Sequence, residues 1–409
     1  GYKRSKWFGC SCCPVNVVRF IPQIAEFAYA TEENAAFVNL FIASDVKLAL
    51  VSGTVGLAQR TDYPWKGTSA IAVTPERDGQ PFALKVRIPG WATGRPVPSD
   101  LYRQTKSASF GEVSLKVNGL SVNAAPVNGY CSVSRAWRAG DVVEVAFPMP
   151  VKRIAADDRV AADRGRLAVE RGPIVYCAEG VDNDGDVMSK VVAADATFAD
   201  TTCDVCGQTF PALTVPARKV RCGISRTVLG DACTLRLIPY FAWDHRQPGN
   251  ALQTWLPAVP EAVRTAGSGV DVKVSHVNPS DSIAALTDGR CPEDGKPDPR
   301  QRRFTFWDHR GTDEWILFTL PGEETVNGVD VYWFDDESVK GNCRAPESWK
   351  VQVQLGEMTG WSDVAAEYPV RADGWSRVTF PKGEPAVQVR LLVKLRKGFS
   401  SGAYEVRLR

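Results

Sequence analysis

The sequence predicts a mostly β protein, with β-sandwich units in series behind a single N-terminal helix. Three observations carry that expectation. From residue 34 onward apolar residues alternate with a period of two in short runs, separated by Gly-, Asn- and Asp-bearing turns. Helical spacing appears over one long stretch, Pro14 to about Ala30. A Pro-, Ala- and Gly-containing segment over 258–269, ending Thr265-Ala266-Gly267-Ser268-Gly269, reads as a linker. It divides a β-sandwich region of one or two modules (34–257) from a second all-β unit (270–409).

In the helix, Val17, Phe20, Ile21, Ile24, Ala25 and Ala28 recur at three- and four-residue intervals. Pro14 fits the first helical position, where its missing N–H costs nothing. Pro22 lies inside the pattern and should kink it. Nothing in the chain is obviously made to pack on this apolar face, so residues 1–33 read as the terminal segment of a larger helical domain. The runs Phe37–Ile42, Ala83–Ile88 and Val142–Phe147 read as strands. Asp78-Gly79, Asn118-Gly119 and Asn128-Gly129 are turns whose residues tolerate positive φ. Ser114–Val117 and Leu120–Val122 flank Asn118-Gly119 as a hairpin, and further strand runs lie in Leu167–Tyr176 and Thr234–Tyr240. In the C-terminal unit the strands fall near Glu314–Leu320, Val329–Phe334, Trp349–Gln354 and Val387–Leu395. Short strands with turns at this density indicate β-sandwich architecture.

Composition narrows the functional classes. With 409 residues, 44% hydrophobic and 23% charged, the chain is long enough for two or three domains and ordinary for a globular protein. Forty-nine basic against 47 acidic residues give no electrostatic reason to expect nucleic acid. No run of eighteen apolar residues occurs, so no membrane partner is expected. The first eight residues lack the apolar stretch of a signal peptide. Three histidines, His245, His276 and His309, leave little room for a histidine-based catalytic site, and each is expected to stand alone as a structural residue.

The concentrated chemical signal is Trp7-Phe8-Gly9-Cys10-Ser11-Cys12-Cys13-Pro14. Eleven cysteines is an odd number, and two adjacent ones are awkward disulfide staples. They stand just before a helix N-terminus, where unpaired N–H groups and the dipole favour an anionic sulfur. Thiolates bind zinc, which takes four ligands, at least three of them from protein. Cys12 and Cys13, with or without Cys10, supply two or three, and no nearby Cys, His or carboxylate is spaced to complete the set. Zinc or a reactive thiol stands against the alternative that these are inert small core residues.

A family resemblance weighs on that choice. Cys12-Cys13-Pro14 opening a helix that ends near Tyr29-Ala30 resembles the last catalytic-domain helix of the β-L-arabinofuranosidase group, glycoside hydrolase families 127 and 146. Thr61-Asp62-Tyr63-Pro64-Trp65, Arg87-Ile88-Pro89-Gly90-Trp91, Val117-Asn118-Gly119 and Gly129-Tyr130 follow in the family's order. So do Trp137-Arg138-Ala139-Gly140-Asp141, Pro148-Met149-Pro150, Arg171–Tyr176 and Ile238–Trp243, a colinear set over residues 7–256. The resemblance implies a retaining hydrolase with a zinc-bound cysteine nucleophile, an exception to the usual carboxylate pair. Carried over by position, the nucleophile is Cys12 and the adjacent zinc ligand is Cys13, with Cys12 also on the metal. It also implies that the helix is left from an (α/α)6 barrel. That barrel, upstream or on another chain, would hold the acid/base glutamate and the other ligands, a glutamate and a cysteine. Cys10 stands as a local substitute ligand. The chain by itself is then expected to be inactive, and its substrates to be plant-derived L-arabinofuranosides or related glycans. A carbohydrate-binding or scaffolding module without catalysis is the rival reading.

Residues 270–409 resemble a discoidin-like (factor V/VIII type C) β-sandwich. The resemblance rests on Ala284–Gly289, Gly311–Trp315, Val331–Asp336 and Pro346–Trp349. Such domains often bind sugars through loop aromatics, and some hold calcium near the Asp-Gly loop. Trp307, Trp361 and Trp375 are the candidate glycan contacts, while Trp315, Trp333 and Trp349 are expected in the core. Cys203-Asp204-Val205-Cys206 is read as a loop or a local disulfide rather than a metal pair, since no second pair accompanies it. Asp182-Asn183-Asp184-Gly185-Asp186 resembles a calcium loop but lacks a bidentate ligand at its twelfth position, Ala193, so an acidic turn is expected. Asp335-Asp336-Glu337 is read as a solvated loop. Thiol and zinc chemistry leaves the compartment open between periplasmic or secreted and cytoplasmic.

Overall fold

A computed structural model of the chain describes residues 9–105, 111–123, 125–224, 227–246, 251–264, 270–293, 301–356 and 359–409. The chain is mostly β, with one long helix at the N-terminal end. That helix, α1, spans Cys12–Ala28 and runs unbroken through Pro22. It starts two residues earlier than Pro14 suggested. Pro14 is still tolerated, because none of the first four helical N–H groups has an intrahelical acceptor. Tyr29 and Ala30, expected at the helix end, already belong to a strand, Tyr29–Glu32, paired with Ala35–Val38.

The first β unit is a two-sheet sandwich. One sheet orders Tyr29–Glu32, Ala35–Val38, Gln80–Arg87 and Tyr130–Trp137, and the Ala35–Val38 and Gln80–Arg87 pair is parallel. The other has six strands, from Ser44–Leu50 through Gly53–Thr61, Thr68–Pro75 and Asp141–Ala146 to the Ser114–Val117/Leu120–Ser121 hairpin. Asn118 and Gly119 take the positive φ values that this hairpin turn requires. Alternate residues of both sheets, Val38, Leu84 and Val86 against Leu57, Ile71, Val73 and Val143, make one dry core. The expected strand over Phe37–Ile42 stops at Val38, because the Asn39 and Leu40 N–H groups turn back to the Ala28 carbonyl at 2.9 and 3.3 Å.

The second unit is a ten-stranded sheet built on Gln208–Cys222 and Thr227–Pro239, with Ile174–Glu179 and Arg166–Arg171 beside them. The Leu167–Tyr176 run is two strands, parted by Gly172 at φ 58°. Of the expected linker, residues 258–264 contain a short helix, Glu261–Arg264. Its Val263 is buried with Val191, Val220 and Cys222. Residues 265–269 lie outside the described residues.

The C-terminal unit orders seven strands around its own core of Phe304, Phe318, Val331, Trp333 and Trp349, among others. The two runs expected near 314–320 and 329–334 are one strand, Asp313–Phe334, with register shifts between Thr319 and Glu324 and between Val326 and Gly328. Trp333 and Trp349 are buried and meet edge to face, as expected of core residues, whereas Trp315 is half-buried. Ile224, from the preceding unit, packs on this core. Among the described residues no helix is long and apolar enough to cross a membrane.

Candidate functional site

Ser11 caps α1 without a side-chain bond, so Cys12 and Cys13 occupy the first two helical positions. Their backbone N–H groups lack intrahelical acceptors there. Their sulfurs lie 3.7 Å apart, and both side chains are exposed, as is Cys10. That spacing suits an S–H···S contact. It also suits two ligands of one tetrahedral zinc, since sulfurs at about 2.3 Å from the metal stand about 3.8 Å from each other. Among the described residues no group of three or more His, Cys, Asp or Glu is positioned to hold a metal. Among the described residues, Cys10 therefore does not complete a three-donor set with Cys12 and Cys13. Trp7 and Phe8 of the motif lie outside the described residues.

The helix carrying this pair has a broad apolar face, with Asn16, Arg19, Gln23 and Glu26 forming a narrower polar stripe. Val15, Val17, Val18, Phe20, Ile21 and Phe27 are all more than half exposed, and Ala28 is its buried residue. A patch of aromatic rings missed in the sequence begins beside its C-terminal end. Phe41 packs on Tyr63, two residues before Trp65, and Trp65 meets Phe210 and Phe241 with ring centres 5.9 and 6.0 Å away. Tyr240 and Phe241 are 45% and 50% exposed. Two sequence motifs 170 or more residues apart, Thr61–Trp65 and Ile238–Trp243, thus converge. In the sequence the two stand only as separate members of the colinear motif set, and only the packing of the two units joins them. Exposed patches of this kind mark surfaces that a partner covers.

The candidate glycan contacts do not gather in one place. Trp307 and Trp375 pack on the aromatic cluster of Tyr332, Phe334 and Tyr404, while Trp361 lies against Arg390 by the Ser348–Gln354 strand. Each carries a guanidinium over its ring: Arg310 over Trp307, Arg390 over Trp361 and Arg407 over Trp375, at 4.4, 4.0 and 4.3 Å. One face of each indole is therefore already occupied.

Several expectations need correction. His276 and His309 do not stand alone; their rings stack 3.9 Å apart at 13°. His309 Nδ1 lies 2.6 Å from the buried Glu314. Burial acts to raise the Glu314 carboxyl, but hydrogen bonds from Ser275, Thr312 and His309 outweigh it and leave it below its ordinary value. The Asp335–Glu337 loop is not simply solvated: Asp335 is buried and accepts from the Glu337 and Ala345 N–H groups at 2.9 and 3.0 Å. Cys203 and Cys206 end a tight hairpin, both free, with Cys206 at φ 52° in the turn. Among the described residues no disulfide is formed. The Asp182–Asp186 turn is, as expected, an acidic turn, and cations from the protein already serve it. The buried Lys190 ammonium donates to the Asn183 carbonyl at 2.9 Å, and Arg246 bridges Asp182 and Glu179.

In the C-terminal unit Asp288 and Glu405 lie beside the Asp288-Gly289 turn. Glu405 accepts from the Gly289 N–H at 3.1 Å. Burial pushes the Glu405 carboxyl up to about 7; the Arg407 guanidinium opposes this and the Asp288 charge reinforces it. Asp288 Oδ2 is buried without a hydrogen bond, with the Arg302 guanidinium 3.7 Å away.

Comparison with known proteins matches two family models to this chain. Residues 35–149 match the β-L-arabinofuranosidase GH127 middle domain, and residues 151–257 match the glycoside hydrolase family 127 C-terminal domain. A non-reducing end β-L-arabinofuranosidase of Bifidobacterium longum subsp. longum is 32% identical over 265 residues, covering 60% of this chain and 37% of its own length. A solved GH127 β-arabinofuranosidase is 38% identical with a TM-score of 0.59, covering 64% of this chain and 40% of that one. The GH127 β-L-arabinofuranosidase of Geobacillus stearothermophilus T6 is 32% identical with a TM-score of 0.55, covering 63% and 39%. The chain spans well under half the length of each relative.

Proposed function

Residues 35–149 and 151–257 are the middle and C-terminal domains of glycoside hydrolase family 127, and from that premise we propose that the chain is the C-terminal part of a retaining glycoside hydrolase acting on L-arabinofuranosides or related plant glycans. The observation that carries the reading is the exposed Cys12–Cys13 pair, at two-ligand spacing on a helix N-terminus directly ahead of those domains. In this reading Cys12 Sγ attacks the anomeric carbon as the bond to the leaving oxygen breaks. Water then displaces the sulfur with a second inversion, so configuration is retained. Cys12 and Cys13 would both hold zinc, which when bound keeps the sulfurs deprotonated and lowers the charge on Cys12 so that it can leave.

The acid/base glutamate and the remaining ligands would come from an (α/α)6 barrel domain, upstream or on another chain. The exposed apolar face of α1 and the adjoining Trp65–Phe241 patch support such a seat. The rings there are tilted by 43° to 85°, which offers interlocking side chains a better fit than a flat sugar face.

Elemental mass spectrometry tests the reading. The 409-residue chain should hold no tight zinc and should not cleave an aryl β-L-arabinofuranoside. The polypeptide extended through the helical domain should hold about one zinc, lost in Cys12→Ser or Cys13→Ser. Hydrolysis by the chain alone, or zinc that survives both substitutions, overturns it. Zinc held by the chain alone and lost in Cys10→Ser would make Cys10 the substitute ligand.

A second reading, carbohydrate binding by a discoidin-like C-terminal unit, is favoured by the half-exposed Trp307, Trp361 and Trp375. Each would offer a sugar the face opposite its arginine. Calcium would fit beside Gly289, where Asp288 and Glu405 bring two carboxylates together and Asp288 Oδ2 lacks a hydrogen bond. Glycan binding that persists in Cys12→Ser and disappears on substituting all three tryptophans with Ala would support this reading; binding indifferent to the tryptophans would sink it.

A further inference from the structure

The Gln80–Arg87 and Tyr130–Trp137 strands end at a cleft of about 610 Å3 in the first sandwich, walled by four prolines and lined by Arg87, Trp91, Arg95, Asn128 and Tyr130. Among the described residues no Asp or Glu lines it. Arg87 and Arg95 are exposed, and among the described residues neither guanidinium has an ion-pair partner. The polar contact of the Arg87 side chain is a 3.5 Å approach to the Asn39 carbonyl.

The walls are held in place. Trp91 is wedged between Tyr63 and Phe147, and the buried Lys152 ammonium lies 4.9 Å from its ring and donates to its carbonyl. Tyr130 donates to Asn39 Oδ1 at 2.8 Å and stands edge-on to Phe37. Asn128 and Gly129 take positive φ, presenting a polar turn at the rim.

We propose that this cleft binds a carboxylate-bearing sugar, a uronate residue of an acidic glycan. Two guanidiniums without carboxylate partners create a demand for an anion, and their planar forks match a carboxylate. A small inorganic anion would leave most of a 610 Å3 cleft empty. The pinned Trp91 and Tyr130 suit the apolar face of a pyranose, and the Asn128 amide suits its hydroxyls. The cleft lies next to the C-terminal end of α1, since Asn39, which touches both Arg87 and Tyr130, also donates to the Ala28 carbonyl. It uses neither Cys12 nor the C-terminal unit, so it stands or falls apart from the hydrolase reading.

Calorimetric titration of the 409-residue chain with tri-galacturonate tests it, against a neutral arabino-oligosaccharide and inorganic phosphate, with Arg87→Gln and Arg95→Gln as variants. Both arginines are exposed, and an unchanged melting temperature checks that the variants fold. Tri-galacturonate should bind, the neutral sugar and phosphate should bind far more weakly, and either variant should lose roughly tenfold or more in affinity. The proposal is overturned if tri-galacturonate does not bind, if either control binds as well, or if both variants keep wild-type affinity.

Discussion

At Cys12 and Cys13, adjacency in sequence becomes a 3.7 Å approach of sulfur to sulfur because both residues are already helical. The same dependence on setting governs Glu405. Its folded carboxyl titrates near 7, against 4.5 for an ordinary glutamate. Between those values the folded chain keeps a proton that the unfolded chain has released, so this residue's contribution to stability is full below about pH 4.5 and is lost as pH rises to about 7. Melting curves in a chelator from pH 4.5 to 7.5 should therefore show wild type losing stability relative to Glu405→Gln as pH rises. Parallel curves would remove the assignment. Added calcium should flatten the wild-type slope if the ion sits between Asp288 and Glu405, since it favours both ionised carboxylates.

At the scale of elements, the first sandwich depends on alternation meeting alternation. Trp137 ends its strand fully buried, stacks on Phe82 and donates its indole N–H to the Phe82 carbonyl at 2.9 Å. Trp137→Ala should cost about 3–5 kcal/mol, read by denaturant unfolding, because it removes a large, fully buried side chain together with its hydrogen bond to the Phe82 carbonyl. A loss under 1 kcal/mol would mean the site collapses around the smaller residue. The alternation itself was legible: the strands near Ala83–Ile88 and Val142–Phe147 and the Asn118-Gly119 hairpin were all visible in the sequence. Strand ends were less so. Phe37–Ile42 alternates beyond its last sheet bond, and Asn39 leaves the ladder for a carbonyl that sequence pattern does not reveal. The long Asp313–Phe334 strand hides its register shifts for the same reason: a bulge changes pairing without changing residue type.

At the scale of the molecule, α1 is a helix of 17 residues with a broad exposed apolar face, and its buried residue is Ala28. Isolated helices of this length are marginal in water, and most helical stability comes from packing one face. Hydrogen exchange should find the α1 amides nearly unprotected in the 409-residue chain, while the Gln80–Arg87 and Tyr130–Trp137 strands resist. In the extended polypeptide α1 should become protected, by one to several orders of magnitude. Full protection of α1 in the chain alone would show that a covering surface already exists here, and the proposed seat for a helical domain would fail.

By itself the sequence determined the mostly β class, the long N-terminal helix, the cysteine pair at its start and the resemblance to the family-127 domains. These are properties of periodicity, turn chemistry and local motifs, which nearest neighbours along the chain encode. Tertiary structure decided what distant residues do to each other. It stacked His276 on His309, set an arginine over each candidate tryptophan, and brought Trp65 to Phe241. It also turned Arg87 and Arg95 into one cleft with no opposing carboxylate among the described residues. Such pairings follow from how sheets pack and where loops close, and a single chain carries no linear mark of them.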